Sequence, residues 1–457
     1  MARNVDLLVT AGSVVTVDPS DSIYSPGAVA VVGDRIVAVG PADEVAGQVT
    51  AARRIDAPGS FVFPGLINTH NHLWQTLLKG LGDDLGLIAW IDATLRPTMP
   101  LLDEELCYLG ACVGALEAAR CGCTTTLDFM HHIPCTPAYE QIFRAFEDVG
   151  GSVVLGRALR DQLPGAELAP GDLTLEQQLD HTRQLFAQYG RDRVWLAPST
   201  VWGMTEPGLR RVRETADELG ALITIHMNEV AFDSEETVRR FGLRSLPFLE
   251  SIGFLGPDVL HAHCVWTDPE DIRILAEHGC AVSYNPVSNM YLGSGPPPIV
   301  EMRKAGIRLS LATDGAASNN SQDMLEALKL GALLQKVVHR DATVLTAPEI
   351  LRMATVGGAD ALARTDLGYL AAGMQADFFL FDPRHPKSIP SHDPISTLVY
   401  SGGEANVRTT VAAGRVVLHD GSLVSVDEAR LLDRAQAAAS SLAQQAGLFD
   451  VVRQRRL

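Results

Sequence analysis

The chain runs to 457 residues, 46% of them hydrophobic and 20% charged, which is enough to bury a large core. Lysine and arginine together number 37 against 55 for aspartate and glutamate, giving a formal net charge of −18. That sign argues against nucleic acid and anionic membrane surfaces as partners, because both select clustered positive charge.

The opening stretch MARNVDLLVTAGSVVTVDPS has no basic segment leading into an unbroken apolar one. No run of about 18 apolar residues occurs anywhere, so neither a signal peptide nor a membrane span is expected. The seven cysteines at 107, 112, 121, 123, 135, 264 and 280 are few, odd in number and scattered. Such usage predicts free thiols in a reducing, cytoplasmic setting. Cys121-Gly-Cys123 is spaced too closely for a zinc-knuckle pair and reads as structural.

In chain order, residues 1–59 read as short β-strands broken by turns, in DLLVTAGSVVTVD and AVAVVGDRIVAVG, with Gly-Asp as a hairpin turn. From 60 to 365, apolar strand-like runs alternate with amphipathic helical segments. The strands are FVFPGLINTH, CTTTLDFM, SVVLGRAL, VWLAPST, ALITIHMNE, VLHAHCV, CAVSYNP and IRLSLATDG. Helices are expected between them, as in DEELCYLGACVGALEAARCG, LEQQLDHTRQLFAQYG and DPEDIRILAEHG. Eight such units predict an α/β fold of the (β/α)₈ TIM-barrel type. Residues 366–425 return to strands, in ADFFLFD and VRTTVAAGRVVLHDG, so a small β-sandwich domain is expected from 1–59 and 366–425 together. Residues 426–457 complete the chain as a helical segment.

Polar residues gather where the barrel strands end: His70, His72, Asp128, Arg160, Ser199, His226, Glu229, His263, Asn285 and Asp314. That is the face where barrel active sites lie. Of the 13 histidines, His181, His278, His339, His385, His392 and His419 stand in helix or loop contexts and read as structural. His70 and His72 are spaced i, i+2, so an extended strand points both to one side and Asn71 to the other. With His226 and Asp314 they make three imidazoles and one carboxylate, a donor set for one divalent ion, Zn²⁺ first and Fe²⁺ second, with a position left for water.

PGLINTHNH, HMNE, HCV, NPVSNMYLGSG and TDGAASNN, taken in this order, resemble the metal-dependent amidohydrolase superfamily, in its branch of N-heteroaromatic deaminases and s-triazine hydrolases. The resemblance extends to the flanking ADFFLFD and VRTTVAAGRVV, and so covers nearly the whole chain. It implies that His70, His72, His226 and Asp314 hold a single metal. It further implies that Glu229 is the acid/base carboxylate and that His263 orients or activates the water, with Asp314 taking the water's proton. His261 is the alternative to His263; the family places its histidine directly before CV or GV, which favours His263. A homo-oligomer, dimer or larger, is implied as well.

The expected reaction is hydrolytic release of ammonia from a nitrogen-rich heteroaromatic ring of purine, pterin or triazine type. The alternatives are displacement of chloride or an alkylamine from an s-triazine, cleavage of an amide-like C–N bond, and, more remotely, a non-catalytic small-molecule-binding relative. Methylthioadenosine/S-adenosylhomocysteine deaminases carry a ribose-associated histidine in APHAPY; here APSTVW puts Ser199 in its place, which argues against nucleoside recognition. CGCTTTLDFMHH looks more like the 8-oxoguanine and pterin deaminases, and NMYLGSG like the triazine hydrolases. Candidate substrate contacts are Gln75, Trp90, Arg160, Trp202, Asn289 and Ser318, with Trp74 near the same mouth.

Overall fold

β-Branched runs and tight turns at both ends of the chain build one hydrogen-bonded sheet in the computed structural model, which describes residues 3–161 and 172–449. The first strands are β1 (Arg3–Val15), β2 (Ile23–Tyr24), β3 (Gly27–Val32), β4 (Arg35–Pro41) and β5 (Val49–Pro64). Gly33, at φ +58°, opens the two-residue turn between Val32 and Arg35, a conformation a side chain would oppose.

The barrel strands follow: β6 (Leu66–Asn71), β7 (Cys123–Met130), β8 (Ser152–Leu159), β9 (Val194–Pro198), β10 (Ile223–Met227), β11 (Val259–His263), β12 (Ala281–Tyr284) and β13 (Arg308–Leu311). They pair in sequence order and in parallel. The two ends meet where Asp314 donates its backbone N–H to the His70 carbonyl at 3.0 Å. This is the expected (β/α)₈ architecture. β14 (Phe378–Phe381), β15 (Val407–Ala412), β16 (Arg415–His419) and β17 (Ser422–Leu423) then rejoin the first sheet. That sheet has the order β17-β16-β15-β14-β5-β1-β3-β4, with β2 beside β1, so both ends of the chain contribute to it.

The run FVFPGLINTH, expected as one strand, is divided between the two sheets. Phe61–Pro64 pair with β14, and the barrel begins only at Leu66. Gly65 makes the passage, and a methyl group there would collide with the Thr124 side chain, so the close approach needs glycine.

The three helices quoted from the sequence occupy Glu104–Arg120, Leu175–Tyr189 and Pro269–Glu277. Their starts are set by Asp103, Thr174 and Asp268, whose side chains accept backbone N–H groups of the first turn, each cap contributing about 1 kcal/mol. Ile67, Leu127, Val154, Trp195, Leu222, Leu260 and Ala281 meet Ala359 and Leu362 as the apolar floor of the barrel. Each large side chain buried there contributes roughly 1.5–3 kcal/mol and leaves the opposite mouth for polar chemistry. The last helix runs over Glu428–Gln445; residues 450–457 of the expected C-terminal segment lie outside the described residues. Among the described residues no helix is long and apolar enough to cross a membrane.

Candidate metal centre and active site

His70 and His72 end β6 with their rings edge to face, 4.9 Å apart. His72 Nδ1 lies 2.6 Å from the carbonyl oxygen of Phe129, and His226 Nδ1 lies 2.8 Å from that of Ser199. A carbonyl only accepts, so both rings carry their proton on Nδ1 and a lone pair on Nε2. Those two Nε2 atoms are 3.3 Å apart. Facing lone pairs at that distance repel unless a cation lies against them. Asp314 Oδ1 approaches the same point, 3.3 Å from His72 Nε2 and 3.5 Å from His70 Nε2. Neither nitrogen of the buried His70 ring has a hydrogen-bond partner among the described residues. The donor set fits a divalent ion, and the orphaned His70 Nε2 is a donor that such an ion would satisfy.

Electrostatics agree with that reading. Burial pushes His70 down to about 4, and burial reinforced by the neighbouring imidazoles holds His226 well below its ordinary value. Burial pushes the Asp314 carboxyl up, but the close approach of His70 and His72 outweighs it and holds Asp314 well below the usual carboxylate range. His70 and His226 are therefore neutral and the carboxylate charged, the protonation states that ligate metals. Asp314 adopts φ +65°, a conformation non-glycine residues rarely take. Gly315 donates its N–H to Asp314 Oδ1 at 2.7 Å and Ser318 its hydroxyl to Oδ2 at 3.0 Å, which fixes the carboxylate plane.

Glu229 follows β10 and is buried beside His263, Oε2 to Nε2 at 3.6 Å. Burial pushes its carboxyl up to about 7, against the lowering effect of His263. Ser294 donates to Oε1 at 3.2 Å, and the Glu229 backbone N–H donates to Asp233 Oδ2 at 2.7 Å. His263 lies 2.9 Å through Nδ1 from Asn289 Oδ1, which holds its ring. It reaches the mouth because His263 and Cys264 take φ +73° and +51°, turning the strand end inward. His261 stays in register with Ile225 and Val282 inside the sheet. Both its ring nitrogens are buried without partners among the described residues, and burial pushes it down to about 3. It does not line the cavity.

That cavity has a volume of about 580 Å³ and opens above the His and Asp groups. Gln75, Trp90, Arg160 and Trp202 all line it. Trp90 is fixed by donating to the Ala317 carbonyl at 2.9 Å, and Trp202 by donating to Asp233 Oδ1 at 2.8 Å. Asn289 and Ser318 are not among the lining residues; the first binds His263 and the second Asp314. Residues that the sequence reading did not single out are Asp233, His131 and an apolar wall of Leu87, Ile91, Leu95 and Met99. Asp233 had a signal, since it stands four residues past Glu229 where the helix Ala231–Phe241 begins. The apolar wall had one as well, since Leu87, Ile91, Leu95 and Met99 recur every four residues as on one face of a helix.

The amidohydrolase family profile matches residues 61–417. The chain belongs to that family. A 5'-deoxyadenosine deaminase of Methanosarcina mazei is 36% identical over 437 residues, covering 96% of this chain and 98% of the relative. A 5-methylthioadenosine/S-adenosylhomocysteine deaminase of Syntrophobacter fumaroxidans is 35% identical over 448 residues, covering 96% and 99%. Among solved structures, a zinc-bound adenosine deaminase from Xanthomonas campestris superposes with a TM-score of 0.92 at 29% identity, covering 97% of this chain and 100% of the other. The zinc complex of atrazine chlorohydrolase from Arthrobacter aurescens gives 0.88 at 25% identity, covering 95% and 100%. The amidohydrolase mouth is thus set on the expected barrel, and the family is the one the motifs resemble.

Proposed function

We propose that this amidohydrolase is a metal-dependent aminohydrolase that releases ammonia from a nitrogen-rich heteroaromatic ring. The observation that carries the reading is the pair of Nε2 lone pairs 3.3 Å apart on His72 and His226, facing Asp314 below a cavity that holds a buried carboxylic acid. His70, His72, His226 and Asp314 would hold the ion, zinc before iron. When bound, a divalent ion supplies Lewis acidity that lets water ionise near neutral pH.

The chain's own residues supply the proton traffic. Asp314, charged and oriented by Gly315 and Ser318, takes a proton from the attacking water. Addition at the amine-bearing carbon drives negative charge onto the adjacent ring nitrogen. Glu229, protonated near neutrality because it is buried, donates to that nitrogen. His263, held by Asn289, lies beside the Glu229 carboxyl. The amine takes the proton that Asp314 drew from the water and leaves as ammonia, while the new hydroxyl returns its proton to Glu229 and the ring carbonyl forms. The aromatic walls, Trp90 and Trp202, suit a flat ring.

The relatives' names point to adenine nucleosides, whereas Ser199 in the fourth barrel strand's end argues for a ring without ribose. A second reading, displacement of a substituent from an alkylated triazine, is favoured by the wall of Leu87, Ile91, Leu95 and Met99, which suits alkyl groups. Ammonia release across methylthioadenosine, 5'-deoxyadenosine, purine bases, pterins and aminotriazines tests the main reading. Glu229→Gln, with metal content unchanged, is expected to lower kcat by about 10²–10⁴-fold. Full activity in that variant, or release of chloride but never ammonia, contradicts it.

A further inference from the structure

The reaction scheme leaves two cavity histidines idle, His131 and His132; the second faces Asp172 at 3.7 Å, the first the ring of His72. His131 is the first residue past the end of β7 and lines the cavity, its ring centred 4.3 Å from that of His72 and tilted by 46°. Trp74 donates its indole N–H to His131 Nδ1 at 3.2 Å. An indole nitrogen only donates, so Nδ1 must offer a lone pair and the ring hydrogen must reside on Nε2. The Trp74 side chain is wholly buried and meets the imidazole edge to face, 89° between planes, so the donor has one position. The outcome is a neutral imidazole with a single N–H left for a ligand.

Beside it, Gln75 is fully buried, and neither its amide oxygen nor its nitrogen has a partner among the described residues. Gly315 packs against that amide so closely that a methyl group there would collide with it. Two polar side chains are therefore held rigidly on the β6–β7 side of the cavity. Burying unpaired polar groups is costly, and a ligand that pairs with them recovers that cost.

We propose that His131, held in one tautomer by Trp74, is a specificity-determining donor that binds an acceptor atom of the substrate ring, either a ring nitrogen or an exocyclic carbonyl oxygen. This rests on the functional reading above and narrows its substrate. Glu229 comes from β10, across the barrel mouth from β7, so the ring must offer acceptors on two edges. One edge takes the proton of Glu229, and the other accepts from His131 Nε2. Amino-substituted rings bearing a second aza or oxo group satisfy this; a ring with one nitrogen does not. Trp74 acts only through His131 and is a positioning residue.

Calorimetric titration of the metal-loaded full chain with adenine, guanine and melamine, and with 2-aminopyridine as the single-acceptor control, tests the proposal. The wild type is expected to prefer at least one of the first three over the control. His131→Phe is expected to cut that preference by about tenfold, one hydrogen bond's worth. Trp74→Phe, which leaves His131 in place, is expected to reduce it as well, and His131→Gln, which keeps a donor, to restore part of it. Nitrogen-15 spectra of labelled histidine supply a readout free of ligand: His131 is expected as the Nε2–H tautomer, and Trp74→Phe to lose that preference. A preference unmoved by His131→Phe, or an Nδ1–H tautomer in the wild type, overturns the proposal alone. A wild type that binds none of the rings overturns this proposal, whereas the functional reading falls only if no compound of the ammonia-release series is turned over.

Discussion

Phe129 and Ser199 act on the metal centre through their carbonyl oxygens rather than their side chains. By accepting from Nδ1 of His72 and His226, they aim two lone pairs at one point, and this second layer fixes what the ligands can do. The pairing i, i+2 of His70 and His72 is legible in the sequence, since strand alternation alone puts both on one side. The preference for His263 over His261 is carried in the sequence by the resemblance alone, the histidine before CV; its physical basis, φ +73° at His263, is announced by no residue pattern. Asn289 and Ser318 illustrate the same limit: their segments mark the mouth, but only packing decides that they hold His263 and Asp314. At this scale the pH dependence is set by Glu229. Its carboxyl is pushed up to about 7 by burial, and the reaction uses the protonated form. Protonation falls as pH rises through that value, so kcat is expected to decline on the alkaline side of about 7. A pH profile of ammonia release checks this; a kcat that is flat from 6 to about 9 would contradict it.

Single elements carry the passage between the two sheets. β5 ends against β14 and β6 begins inside the barrel, with Gly65 alone between them. The sequence shows an unbroken extended run there, because backbone conformation does not change at the boundary; only the pairing partner does. Helix starts were more legible, since Asp103, Thr174 and Asp268 cap within the sequence that follows them. Gly65→Ala places a methyl group against Thr124 in a packed layer and is expected to cost about 1–3 kcal/mol. Denaturant unfolding measures it, and Thr124→Ala in the same chain, which removes both the hydroxyl and the methyl from that contact, is expected to recover part of the loss.

At the scale of the whole molecule, eight strands place their C-terminal ends around one cavity while an apolar floor seals the other end of the barrel. The (β/α)₈ order was readable because strand and helix patterns alternate eight times. The shape of the cavity was not: Leu87, Ile91, Leu95 and Met99 recur every four residues and mark a helical face between β6 and β7, but nothing in that spacing says that the face packs over the mouth. The buried, unpaired donor set links this architecture to stability. An ion bound at a thousand times its dissociation constant stabilises the folded chain by about 4 kcal/mol. Chelation is therefore expected to lower Tm by several degrees, and readdition of zinc to restore it; a Tm unchanged by chelation of the metal-bearing protein would count against the site.

The proposed chemistry needs one ion among His70, His72, His226 and Asp314. Anomalous diffraction recorded on both sides of the zinc and iron absorption edges locates it. A single strong peak within bonding distance of these four side chains is the expected result. A metal-bearing protein whose only peak lies elsewhere would contradict it.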